Sequence, residues 1–165
     1  MNLKLGSVEL DVGRNYFVRV EHDADLAKFV TEFSTKNNIK LGSFTAVGAL
    51  KSAKIGFYDQ KKHEYLEVKQ PFPCEIASCV GNISLKNCEV FVHAHVVLAD
   101  EKGGVRAGHL LEGKVFAAEV HIAELLGEKL ERDHDKVTGL SLWKLKTGAR
   151  ARSHTRQSET SNTGR

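Results

Sequence analysis

Three of the eight histidines fall within residues 91–111, FVHAHVVLADEKGGVRAGHLL. His93 and His95 stand two apart in a run of β-branched, aromatic and aliphatic residues, and in a strand that spacing projects both imidazoles from the same face. The run stops at Ala99-Asp100-Glu101-Lys102-Gly103-Gly104, whose charges and paired glycines are turn chemistry, and residues 105–111 read as a short returning strand. A turn centred near Lys102 puts His109 directly opposite His95, each seven residues from the centre, and leaves His93 on the diagonal. Opposite Cβ atoms in such a ladder lie roughly 5 Å apart and diagonal ones roughly 7 Å, so three rings can share one ion about 2 Å from each ligating nitrogen. Three imidazoles with a fourth position left for water or substrate are the ligand set of an open, catalytic-type site for zinc or another divalent transition metal. The same pattern also fits histidines hydrogen-bonded at a subunit contact or carried on a solvated sheet face. Glu112 has the opposite parity and joins the histidine face only through a bulge.

A histidine hairpin needs a sheet around it, and the flanking sequence predicts one. Residues 1–12 are ambiguous, with alternation that suits an edge strand, whereas residues 15–20 read as a strand with Tyr16, Val18 and Val20 on one face and Phe17 on the other. His22-Asp23-Ala24-Asp25 offers two N-cap candidates, and Leu26, Phe29, Val30 and Phe33 form one apolar stripe of a helix that Asn37 and Asn38 end. From Lys40 the period becomes that of strands. Residues 41–50 and 51–58 read as two of them, with Gly42, Gly48 and Gly56 suggesting bulges or close backbone approach. A turn at residues 59–62 leads into Tyr65, Leu66 and Val68, and Pro71-Phe72-Pro73 interrupts that strand. Residues 74–83 form the next strand and 85–88 the next turn, ahead of the histidine hairpin. Residues 115–122 then read as a strand with Val115, Ala117, Glu119 and His121 on one face, His121 exposed, and Phe116, Ala118, Val120 and Ile122 on the other. Residues 129–136 read as a charged loop or frayed helix, and residues 138–145, TGLSLWKL, as a last edge strand. One early helix and about seven strands predict a single α+β domain with a large, mainly antiparallel sheet.

Composition narrows the function. At 165 residues, 41% hydrophobic and 27% charged, the chain suits one globular domain: an N-terminal segment (1–13), the domain (14–146) and a disordered basic tail (147–165). Cys74, Cys79 and Cys88 are odd in number and lack CxxC spacing, which argues against a disulfide framework or a cysteine zinc site and fits a reducing cytoplasm. No window approaches the ~20 apolar residues of a membrane span. The four arginines and one glutamate of residues 150–165 account for the whole net charge of +3, so residues 1–149 are formally neutral. The body therefore lacks the basic signature of a non-specific DNA binder, and the nucleic-acid candidates are Arg150, Arg152 and Arg156. The motifs GxGxxG, GxxxxGK[ST], HExxH and GxSxG are absent.

The segments FTAVGALKSAKIGFYD at 44–59, CEIASCVGNISL at 74–85, FVHAHVVLADEKGGVRAGHLLEG at 91–113 and TGLSLWKL at 138–145 resemble, in order and spacing, the plants-and-prokaryotes-conserved domain (PPC, also PCC). The resemblance covers about four-fifths of the chain and implies a large antiparallel sheet assembled as a homotrimer. It also implies a regulatory module that binds DNA or partner proteins. Plant members carry AT-hooks for the minor groove, and this sequence has no Arg-Gly-Arg-Pro core. The fold is also similar to that of acetolactate decarboxylase, whose zinc sits on three histidines including a His-x-His strand pair, a pattern that His93, His95 and His109 match by analogy. The alternative function is thus a metal-dependent enzyme acting on a small carbonyl, carboxylate or ester. Arg19, Lys51, Arg106 and Glu112 are its candidate charged groups, and no catalytic residue is assigned.

Overall fold

The computed structural model describes residues 6–145. Strand β1 (Asp11–Val20) leads into helix α1 (Leu26–Lys36). There follow β2 (Gly42–Asp59), β3 (Glu64–Gln70), β4 (Cys74–Lys86), β5 (Glu89–Ala99), β6 (Val105–Leu126), β7 (Glu131–His134) and β8 (Ser141–Trp143). The expected α+β architecture is present, and among the described strands β7 on β4 is the parallel contact. Asp25 caps the helix: its Oδ1 accepts the Lys28 N–H at 2.9 Å, while Oδ2 accepts the Gly113 N–H at 2.8 Å and ties the helix start to β6. Asn37 ends it, donating its N–H to the Phe33 carbonyl at 3.0 Å, and Asn38 turns the chain with φ 56°.

The sheet closes on itself. β2 pairs with β6 along one edge and with β4 along the other, β4 pairs with β5, and β5 pairs with β6, so four strands form a ring. Its inner face and the apolar stripe of α1 make one core, in which Leu26, Val30, Leu50, Ile83, Val96, Leu98, Val115 and Ile122 are each at most 2% exposed. Burial of that kind stabilises by roughly 1.5–3 kcal/mol per large side chain and holds the hairpin against the helix.

Two expected breaks are absent: residues 41–50 and 51–58 are one strand, and so are residues 105–111 and 115–122. Straight, the 22 residues of β6 would run roughly 70 Å. Bulges bend the strand around the ring instead. Ala49 pairs with Ala117 but Leu50 with Val115, so Phe116 is an extra residue; Val115 turns into the core, Phe116 points out, and the faces expected for these two residues are exchanged, while Ala117 faces out as expected. At Gly48, with φ 130°, a Cβ would lie 2.2 Å from the Ala117 carbonyl oxygen, so this crossing needs glycine.

Smaller corrections share a cause in the packing. Asn87 and Cys88 alone make the β4–β5 turn, both at positive φ, so Leu85 and Lys86 remain in β4. Within residues 129–136 the chain forms β7 rather than a loop or helix, because the end of β4 offers a free edge, and only Ser141–Trp143 of the last segment is strand. His121 is half-buried rather than exposed: Phe17 stacks on it with centroids 4.6 Å apart, and its Nε2 lies 3.1 Å from Asn15 Oδ1. Among the described residues no helix is long and apolar enough to cross a membrane. The tail, with Arg150, Arg152 and Arg156, lies outside the described residues.

Candidate metal centre

The β5–β6 register pairs His95 with His109, as the turn spacing predicts. His93 lies diagonally from His109 and directly opposite Asn82 of β4. Ring centroids are 5.1 Å apart for His93 and His95, 5.0 Å for His93 and His109, and 5.7 Å for His95 and His109. One nitrogen from each ring lies within 4.8 Å of the others. Tetrahedral bonds of about 2.1 Å require nitrogens about 3.4 Å apart, so side-chain adjustments on the order of an ångström would close the set. His93 and His109 are half-buried and His95 is exposed, which leaves the centre open on the face away from α1. That face carries a continuous row across the sheet: Phe17, His121, Thr45, Val80, His95, His109, Gly56 and Glu67 stand opposite one another strand by strand.

The electrostatics favour the ligating form of two of the rings, His93 and His109. Burial pushes His93 down to about 4, with repulsion from His109, Arg132 and His95 adding to it, and burial likewise lowers His109, helped by His95 and Arg132. Both imidazoles are therefore neutral at neutral pH, as metal ligation requires. Nδ1 of His109 is buried and has no hydrogen-bond partner among the described residues, at a cost of roughly 1–3 kcal/mol for such a group. A cation sharing the three rings is one way to satisfy it, and the donor set fits a divalent transition ion. Tyr65 tilts over His109 with centroids 5.2 Å apart, and burial raises its phenol.

The four charged candidates do not join the cluster. Leu111 is the extra residue of a second bulge, since Lys54 pairs with Glu112 and Ile55 with Leu110, and this brings Glu112 to the face from which parity would exclude it. There it pairs with Lys54, which also lies 3.9 Å from Glu67. Lys51 pairs with Asp23 at 2.8 Å, Arg106 donates to the Lys69 carbonyl at 3.3 Å, and Arg19 stands opposite Glu119 on the β1–β6 edge.

The charge beside the histidines comes instead from Arg132 on β7. It donates from Nε to Ser84 Oγ at 2.9 Å, from Nη1 to the Ser141 carbonyl at 2.9 Å and from Nη2 to Asn82 Oδ1 at 2.7 Å. Its guanidinium sits 5.3 Å from the rings of both Phe91 and Trp143. It is 9% exposed, has no carboxylate partner among the described residues, and burial lowers its pKa. Asn82 was findable from sequence, because a two-residue turn at Asn87-Cys88 sets it against His93. Arg132 had no local signal.

A family model, the Plants and Prokaryotes Conserved (PCC) domain, matches residues 8–126. Among solved structures, a metal-containing protein from Archaeoglobus fulgidus is 40% identical, with 84% of this chain and 99% of that one covered and a TM-score of 0.82. A plant- and prokaryote-conserved (PPC) protein from Pyrococcus horikoshii is 41% identical, with 85% and 97% covered and a TM-score of 0.81. The bifunctional protein GlmU of Synechococcus sp. (strain JA-3-3Ab) is 29% identical over 129 residues, 76% of this chain, and the chain spans 20% of the length of that relative.

Proposed function

This chain belongs to the Plants and Prokaryotes Conserved (PCC) domain family, and from that premise we propose that it is a metal-binding module whose His93, His95 and His109 hold one divalent transition ion. Zinc suits an all-imidazole set, and a coordination position is left to a small-molecule ligand on the outer face of the sheet. The observation that carries this reading is the convergence of three imidazoles, one nitrogen from each within 4.8 Å of the others, and among the described residues His109 Nδ1 is also buried without a partner. Similarity at 40% identity to a metal-containing protein supports it. Once bound, such an ion supplies Lewis acidity, polarising a ligand oxygen or acidifying bound water, which is the chemistry the enzyme reading needs.

Elemental analysis of protein purified without a histidine tag tests the proposal. About one ion per chain is expected in the wild type, and the His95→Ala variant should lose most of it. Single alanine replacements of His22, His63, His121, His134 and His154 should retain it. Occupancy falls on acidification, but His93, titrating at about 4 rather than 6.5, remains a competent ligand well into the acid range. Metal near zero in both wild type and His95→Ala would sink the reading.

The proposed assembly is a homotrimer. It is supported by the solvent exposure of Phe17, Val47 and Phe116, each more than half exposed, which a monomer would leave in water. Light scattering that returned a monomer mass at micromolar concentration would count decisively against it. DNA binding is a second reading, favoured by the confinement of the net charge of +3 to residues 150–165. Contact with phosphates would run through Arg150, Arg152 and Arg156, and deleting residues 150–165 should then abolish a salt-dependent shift of duplex DNA. No shift even at low salt would end it.

A further inference from the structure

We infer that the open position beside the three histidines takes a small carboxylate, and that Asn82 is the residue that binds and orients it. The inference rests on the three-histidine reading above and names its ligand class. Charge is the first reason. Three imidazole ligands, a divalent ion and the Arg132 guanidinium add up to a strongly cationic centre, and among the described residues no carboxylate stands in the cluster or among the guanidinium's partners. A partly buried centre of that sign attracts a compensating anion far more strongly than the same charges would in water.

Asn82 supplies the directional part. It stands directly opposite His93 on the neighbouring strand, so its side chain shares the histidine face with Cβ atoms roughly 5 Å apart. Its Oδ1 accepts from Arg132 Nη2 at 2.7 Å, and a guanidinium can only donate, so the amide cannot flip without losing that bond. The Asn82 NH2 group is therefore the free end, with two N–H donors and no partner among the described residues. Arg132 is itself fixed, by the fully buried Ser84 hydroxyl, the Ser141 carbonyl and two aromatic faces, and acts as a positioning residue.

A carboxylate satisfies this arrangement, with one oxygen on the ion and the other accepting from Asn82 Nδ2. Opposite His95 on the same face, Val80 is 53% exposed and offers an apolar contact for a short substituent. The predicted ligand thus has one carboxylate and a small apolar group.

Acetate is the probe, and the full chain loaded with cobalt(II) reports its binding through the visible absorption of the ion. Acetate should shift that spectrum saturably, while acetamide, neutral and of the same size, should not at the same concentrations. Asn82→Ala should retain the cobalt content of the wild type and weaken acetate about tenfold, the effect of one charge-assisted hydrogen bond. Asn82→Asp, isosteric and still able to accept from Arg132, should retain cobalt and lose acetate binding, because it places a carboxylate where the ligand would sit. Acetate affinity unchanged in Asn82→Ala, or acetate binding no better than acetamide, would overturn the inference while leaving the metal site standing. Absence of cobalt from the wild type would instead overturn the three-histidine reading itself.

Discussion

Arg14 and Arg132 each fasten distant parts of the chain, yet their surroundings are opposite. Arg14, about half exposed, grips Glu124 of β6 in a two-point fork, Nε to Oε2 at 2.6 Å and Nη2 to Oε1 at 2.8 Å, and its Nη2 also donates to the Asn37 carbonyl at the end of α1. Glu124 is only 8% exposed, and the hydrogen bond from Arg14 is the main reason its carboxyl is held below the ordinary range. Here the inaccessible charge has its counter-charge, and the arrangement is fully explained by joining β1, α1 and β6. Arg132 is as inaccessible as Glu124 but among the described residues has only neutral acceptors and ring faces around it. A buried cation without an anion is costly to keep. Beside the three histidines, the carboxylate inferred above would supply the missing negative charge.

Breaking the uncompensated clamp should have the larger effect. Arg132→Ala removes three hydrogen bonds and the stacking on Phe91 and Trp143, strands the buried Ser84 hydroxyl, and releases β7 and β8 from β4. A loss of about 3 kcal/mol in urea unfolding is expected. A loss below about 1 kcal/mol would show that the clamp contributes little to the fold.

Glu124→Gln should cost less at neutral pH, because the amide still accepts from Arg14 and Arg14 is half in solvent. Its signature is in acid. The carboxyl titrates lower in the folded chain than in the unfolded one, so its stabilisation is complete above the ordinary carboxylate range and disappears as pH falls through the folded value. Thermal unfolding across pH should show that acid limb flattened in Glu124→Gln and retained in Arg132→Ala, since none of Arg132's partners titrates. In metal-free protein another limb precedes it. His93 titrates at about 4 in the fold against 6.5 unfolded, so the unfolded chain takes the proton first and stability declines as pH drops between those values.

What was legible from sequence alone is the local part of the site. The two-residue period puts His93 and His95 on one face, and the turn chemistry around Lys102 sets His109 against His95, because strand parity and hairpin register depend on neighbours within about fifteen residues. The cap at Asp25 and the apolar stripe of α1 are local in the same sense. The bulges at Leu111 and Phe116 are not, for they exist to wrap β6 around a ring that closes through β2, and no pattern within the strand announces which residue is left unpaired. Arg132 is fifty residues from Asn82 and reaches it only because β7 docks on the end of β4. Sequence thus determined which three imidazoles meet, through backbone geometry that repeats along a strand. Tertiary structure decided the charge around them, because electrostatic environment depends on which distant segments share a buried volume and on how far water is kept from them.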